Sequence, residues 1–361
     1  MSRITIREKG GPLRGDINVY DVSGLRPATI ARLRRRGYLK PVWSEHNVIL
    51  QAFTDAFHAR LTGAPTARDL LQLCFQGLGT GTTAEVETDE NLEAETYRKS
   101  FDSIISAGNQ VIMITTFSSL EANCAQGRIT TNFSGSGTDS TTTWTMAPDV
   151  TGLSPQERAY VETYFKRARV GDLFRFGLGA GNTTYEFRTL TGVVYNAAAT
   201  SCVITITDPL PSAPPQNATA DQCMNEVGVV GDFPTIQAMT GVPTLTTFDC
   251  ADIRYFFAGD KIRHFRADAV SISGASFDLQ QFAVVASTTP GVGNAGTVTL
   301  VAPGWAVDYT IPGSAPAPTP VAGIAGDFVY GGRYYNRVAG IRFVKSRAVT
   351  LMVETIFTTA S

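Results

Sequence analysis

Part of this chain is written twice, and that repeat constrains the fold more than any other feature. Gly171-Asp172 opens GDLFRF, followed by YEFRTLTGVV and TSCVITITDPLP; Gly259-Asp260 opens GDKIRHF, followed by FDLQQFAVV and AGTVTLVAP. Both units carry paired valines (Val193 and Val194; Val284 and Val285) and close on an alternating strand that stops at proline. A period of two puts alternate side chains on one face of a pleated strand. Short strands bounded by turn residues suit a small β-barrel or sandwich of about four or five strands. Two copies are too few for a solenoid, so we expect a duplicated β module.

The remaining sequence extends that reading. With 361 residues, 43% hydrophobic and 17% charged, the chain can bury more than one core, and its wealth of Thr, Val and Gly favours strands and turns. The expected fold class is mainly β with a few short helices (α+β), a discontinuous β domain with inserted small β-barrel or sandwich modules. Residues 1–40 read as a basic extended arm and short helix. Residues 41–125 plus 325–361 read as the discontinuous domain, 126–222 as a first inserted module with a helix, and 223–324 as a second module with a Pro/Ala-rich loop, PGSAPAPTP. The split follows from a long alternating strand near Val349 to Phe357, which needs a partner in the first 120 residues.

Local signals place three helices. Pro27 suits a first turn, Ala28 to Arg36 lacks Gly and Pro, and Gly37 is a stop. A second helix is expected from about Glu45 to Leu61. A third has Ser154 as N-cap, Pro155 behind it and Glu157 to complete a capping box. Leu70 to Phe75 reads as a strand and Gly77 to Thr83 as a flexible, structural loop.

Several chemistries are disfavoured. The five cysteines form no CxxC pair, and none of the three histidines lies within four residues of a cysteine or another histidine, so neither a disulfide framework nor a metal site is expected. GLGTG lacks the third glycine of a dinucleotide fingerprint and the Gly-Lys-Ser/Thr of a P-loop. No G-x-S-x-G elbow accompanies His46, His58 or His264, and nothing selects a carboxylate pair for glycoside hydrolysis. The expectation is therefore no enzyme, no catalytic residue, no cofactor and no metal. Arg14-Gly15-Asp16 and the sequons at Asn132, Asn182 and Asn217 are discounted. No apolar run approaches the roughly 18 residues of a membrane span, and the polar, basic start does not read as a signal peptide.

Charge singles out one region. Residues 1–40 hold ten Lys and Arg against three Asp and Glu, within a chain of net charge −2. Arg14, Arg32, Arg34, Arg35, Arg36 and Lys40 are the candidate assembly interface, a basic arm and helix suited to an acidic protein surface. Phosphate contact is the less favoured reading, because no recognised nucleic-acid motif accompanies the arginines.

A set of short patterns, in order, resembles structural proteins of tailed bacteriophages of the tail-collar, baseplate and fibre-attachment type. They are Trp43-Ser-Glu-His-Asn47-Val-Ile with a helix ending at Leu61-Thr-Gly63, Gly77-Leu-Gly79-Thr-Gly81-Thr-Thr83, Leu92-Glu-Ala-Glu95-Thr-Tyr-Arg98, Asn225-Glu226-Val227-Gly228-Val229, and Tyr335-Asn336-Arg337-Val338 with Lys345. The resemblance covers roughly 40–125, 223–232 and 325–358. It implies a non-enzymatic virion subunit of the tail or neck region, made in the host cytoplasm, whose partners are copies of itself and neighbouring virion proteins. The alternative is a host-surface glycan-binding adhesin, whose inserted modules present Tyr185, Phe187, Phe265 and Phe277 to polysaccharide.

Overall fold

The computed structural model describes the chain apart from residues 1–12, 64–65, 67–69, 87, 90, 119–120, 133–139, 179–180, 199, 235, 266–270, 273–274, 277–279, 308–321 and 360–361. The fold is mainly β, with two small closed barrels beside a larger sheet.

The larger sheet has nine strands: β1 (Leu13–Asp21), β2 (Trp43–Ile49), β3 (Leu73–Gly79), β4 (Glu95–Ser100), β5 (Ser103–Ala107), β6 (Gln110–Phe117), β13 (Met224–Gly231), β23 (Arg333–Phe343) and β24 (Leu351–Thr359). Their order is β4-β3-β13-β23-β2-β1-β24-β6-β5. The two edges, β4 and β5, are joined by residues 101–102 alone, so the sheet must curl back on itself. Its halves face each other: the Thr355 hydroxyl of β24 donates to Gln76 Oε1 of β3 at 3.0 Å. Ile17, Val19, Leu78, Tyr97, Phe117, Val227, Val338 and Val353 fill the space between.

Three expectations change here. Residues 13–21, read as part of an extended arm, form the central strand β1, with β2 on one side and β24 on the other; Ile17 and Val19 anchor it in the core. The start of the expected second helix is β2, and helix α2 covers Gln51–Leu61 alone. Gly77 and Gly79 belong to β3 and not to a flexible loop. A Cβ on Gly77 would fall 1.9 Å from the Tyr334 hydroxyl, and one on Gly79 would fall 2.3 Å from Glu226. The long C-terminal strand is β24, and its neighbours are β1 and β6.

Barrel 1 comprises β7 (Gln126–Asn132), β8 (Thr143–Pro148), β9 (Leu173–Leu178), β10 (Thr184–Tyr195), β11 (Cys202–Ile206) and β12 (Thr219–Gln222), with helix α3 (Pro155–Phe165) between β8 and β9. Its ring runs β7-β8-β11-β10-β9-β12. Barrel 2 comprises β14 (Gln237–Thr240), β15 (Thr247–Cys250), β16 (Lys261–Phe265), β19 (Gln280–Pro290), β20 (Gly296–Leu300) and β22 (Phe328–Tyr330). It closes as β14-β15-β20-β19-β16-β22. Taken in chain order the two rings have the same topology. Three two-residue strands complete the set: β17 (Ser271–Ile272) pairs with β18 (Ala275–Ser276), and β21 (Ala306–Val307) pairs with β19.

The repeat is therefore of six strands, longer than the four or five expected. The Gly-Asp pair is a built turn in both copies. Gly171 and Gly259 take φ +94° and +90°, which only glycine adopts readily. Gly171 N–H donates to Leu190 O and Leu190 N–H to Asp172 O; Gly259, Val285 and Asp260 repeat the exchange. The Asp172 and Asp260 carboxylates accept from the N–H three residues earlier, at 2.7 and 3.2 Å. Leu190 is thus the equivalent of Val285, and a bulge follows each; the paired valines are not equivalent positions. A third such turn, Gly326-Asp327, leads into β22, and Asn217-Ala218 stands in its place before β12.

Candidate functional site

Helix α1 (Pro27–Arg35) carries the basic run. Arginines in its last turn suit the negative end of the helix dipole. Gly37, at φ +67°, ends it with N–H bonds from Gly37 to Arg34 O and from Tyr38 to Leu33 O, the paired pattern of a Schellman stop. Ile30 and Leu39 pack on Tyr20, Val22 and Met352, which fixes the helix to β1 and β24.

The arginines divide into two roles. Arg34 turns inward and ion-pairs with the nearly buried Glu354 of β24. Glu354 also accepts from the Tyr20 hydroxyl, and burial together with that carboxylate pushes the Tyr20 phenol up to about 12. Arg32, Arg35, Arg36 and Lys40 are exposed, as is Arg26 at the N-cap. None of these five has an ion-pair partner among the described residues. Tyr38, 69% exposed, lies between Arg36 and Lys40 in the chain, and Val42, 54% exposed, follows them. Arg14 sits in β1 opposite Thr358, away from the helical run in sequence and inside the sheet register. The structure therefore gathers Arg32, Arg35, Arg36 and Lys40 on a single segment and assigns Arg34 to holding that segment in place. The exposed Tyr38 and Val42 escaped the sequence reading, since single exposed apolar residues carry no periodic signal.

Other residues singled out by sequence are engaged structurally. His46 Nδ1 lies in hydrogen-bond contact with the Asp16 carboxylate across β1 and β2, and the Arg14-Gly15-Asp16 tripeptide lies within a paired strand. His264 is buried between Asp327, at 2.7 Å, and Gln281, at 2.9 Å, beside the Trp305 ring. Burial pushes the thiols of Cys74, Cys124 and Cys202 up to about 12 and that of Cys250 to about 11, and it raises Cys223 further. A thiol held in that range is not a nucleophile. Tyr185 is 45% exposed and Phe187 half-buried on β10. The Phe265 side chain and Phe277 lie outside the described residues.

Glu226 is a functional-looking residue that sequence reasoning placed only within a pattern. Buried in β13, it accepts from the N–H groups of Gly81, Glu93 and Ala94 and pairs with Arg337 at 3.0 Å. Burial raises its carboxyl despite those donors. It organises the connection between β3 and β4, so its role is to fix a loop. Among the described residues no group of His, Cys, Asp and Glu could hold a metal ion, and no helix is long and apolar enough to cross a membrane. No protein-family model matches the sequence, and no curated protein matches it.

Proposed function

We propose that this protein is a non-enzymatic structural subunit of a tailed-bacteriophage virion, in the tail, baseplate or collar, assembling with copies of itself or with neighbouring virion proteins. One observation carries the assembly part of this reading: five exposed cations without acidic partners among the described residues stand on and around a helix bolted to the larger sheet by Arg34 and Glu354. A preformed cluster of one sign steers and orders association with the opposite sign. The rest of the chain, at about −9, supplies acidic surface in every further copy. The virion part rests on the ordered sequence patterns.

The test is a triple charge reversal, Arg32→Glu, Arg35→Glu and Arg36→Glu, followed by light scattering at low and high salt. Deleting residues 1–40 is not a usable control, because it removes the central strand β1. We expect a defined oligomer in the unaltered protein, weakened by salt and lost in the variant, and the protein in purified particles by mass spectrometry. A salt-insensitive monomer absent from particles refutes the reading.

A second reading, a host-surface glycan-binding adhesin, is favoured by a separate observation. Tyr185 presents an exposed ring on the outer wall of barrel 1, with the Arg175 guanidinium stacked 4.4 Å from its centroid.

A further inference from the structure

Strand register aligns a row of side chains across the outside of barrel 1. Phe187 on β10 faces Arg175 on β9, Arg175 faces Asp221 on β12, and Asp221 faces Gln126 on β7. Directly opposed residues share a face of the sheet, so these four side chains stand together on the wall. In the neighbouring row Tyr185 faces Gly177 and Thr219 faces Arg128. Asn182 fills the space over Gly177 and accepts from the Thr219 N–H at 3.1 Å. Four strands span roughly 14 Å at the usual spacing, the length of a few linked sugar rings.

The β7 and β12 end of the wall opens into a groove of about 360 Å³, lined by Gln126, Arg128, Asp149, Thr219, Asp221 and residues 346–348. Each charge here is balanced by a neighbour. Arg175 donates to Asp221 at 2.9 Å, Arg128 pairs with Asp149 at 2.7 Å, and Arg347 pairs with Glu157. An ionic ligand would compete with these pairs, most costly at the nearly buried Asp221. Beneath this surface the Thr219 hydroxyl and Arg175 Nε, both out of contact with solvent, have no partner among the described residues, a state that is rare for polar groups in native proteins.

We infer that this wall and groove, from Tyr185 to Asp149, form a binding site for a neutral oligosaccharide. A sugar hydroxyl both donates and accepts, so it can bond to a carboxylate and a guanidinium that already hold each other. The apolar C–H face of a pyranose packs on an exposed aromatic ring, which Tyr185 offers at the β10 end of the wall. The arrangement follows the general build of a ligand site, with a few placed polar groups beside an aromatic platform. The inference rests on the adhesin reading and locates its site; it does not depend on the basic helix.

The experiment uses the full chain and saturation-transfer NMR with maltohexaose, cellohexaose and chitohexaose, and with oligogalacturonate as the charged comparison. We expect at least one neutral hexamer to bind, and Tyr185→Ala and Asp221→Asn each to weaken it by roughly tenfold or more. Phe328→Ala, an exposed aromatic of barrel 2, should leave binding unchanged. Tyr185→Ala removes a surface ring and leaves the core intact, so it decides the matter even where Asp221→Asn unsettles the wall. Absence of binding by all three neutral hexamers at millimolar concentration overturns the inference. So does binding that survives Tyr185→Ala, or a preference for the galacturonate. Labelled protein that still adheres to host cells when Tyr185 is replaced would sink this site and leave the adhesin reading standing; oligosaccharide binding without adhesion would do the reverse.

Discussion

Barrels 1 and 2 share a strand order, a bulge and a Gly-Asp turn, yet they are joined to the nine-stranded sheet by opposite means. The buried core of barrel 1 runs from Ala125 to Ala220 and includes no residue of that sheet. Its seam is polar: Thr80 donates to Asp172 at 3.0 Å, the Thr82 hydroxyl to Gly171 O at 3.3 Å, and Arg347 reaches Glu157. The core of barrel 2 continues without a break into Leu50, Phe75, Val230 and Tyr334. There the seam is closed by Glu95, fully buried and held by Arg98 at 2.7 Å and Arg263 at 3.6 Å. Burial pushes the Glu95 carboxyl up, but the two guanidiniums prevail and hold it down at about 2. Hydrogen bonds across a seam exchange for water at small net cost, whereas a shared apolar core cannot be opened without exposing it. Topology thus leaves autonomy undecided; the residues facing the neighbour settle it.

The largest expected effect tests that contrast directly. Excised residues 124–223 should fold alone, with dispersed amide resonances and a cooperative melt, while excised residues 236–330 should not. Two folded fragments would break the comparison.

Next in size is the pair of seams. Glu95→Ala leaves two buried guanidiniums without their carboxylate and should cost about 3–5 kcal/mol in urea unfolding. Arg347→Ala, which removes a partly exposed pair from the barrel 1 seam, should cost under about 1 kcal/mol. Equal costs would show the two seams to be alike.

A smaller effect sharpens the picture through pH. Burial pushes the Asp172 carboxyl up from 3.8 to about 6, although Arg169, Thr80 and Gln222 oppose it. The folded state then holds this proton more tightly than the unfolded chain. Stability from this group is greatest below about pH 4, falls as pH rises through 6, and is level above that. The span is up to about 3 kcal/mol at 1.4 kcal/mol for each unit. Urea midpoints taken from pH 4 to pH 7 should show this slope, and Asp172→Asn should flatten it. An unchanged slope in the variant would assign the titration elsewhere.

The legible parts of the fold share one property: their physics is local. The Gly-Asp turns were visible because positive φ demands glycine and the aspartate caps an N–H only three residues away. Helix α3 was visible because Ser154 and Glu157 cap each other, Ser154 N–H donating at 3.1 Å. The hairpin strands β14 and β15 carry no such device, so the start of barrel 2 went unread. The candidate surface was legible to the same extent. Consecutive arginines announce charge, but nothing near Arg34 in sequence reveals Glu354, 320 residues away, as its partner.

By itself, then, the sequence determined the β class, the duplication, the caps of α1 and α3 and the basic segment, because each is encoded within a few residues. Tertiary structure alone decided that Leu13–Asp21 is a central strand and that Gly77 and Gly79 serve close packing against Tyr334 and Glu226. It also decided that one barrel keeps its core while the other shares it. Those outcomes depend on which distant side chains come within contact distance, and no window of sequence holds both partners.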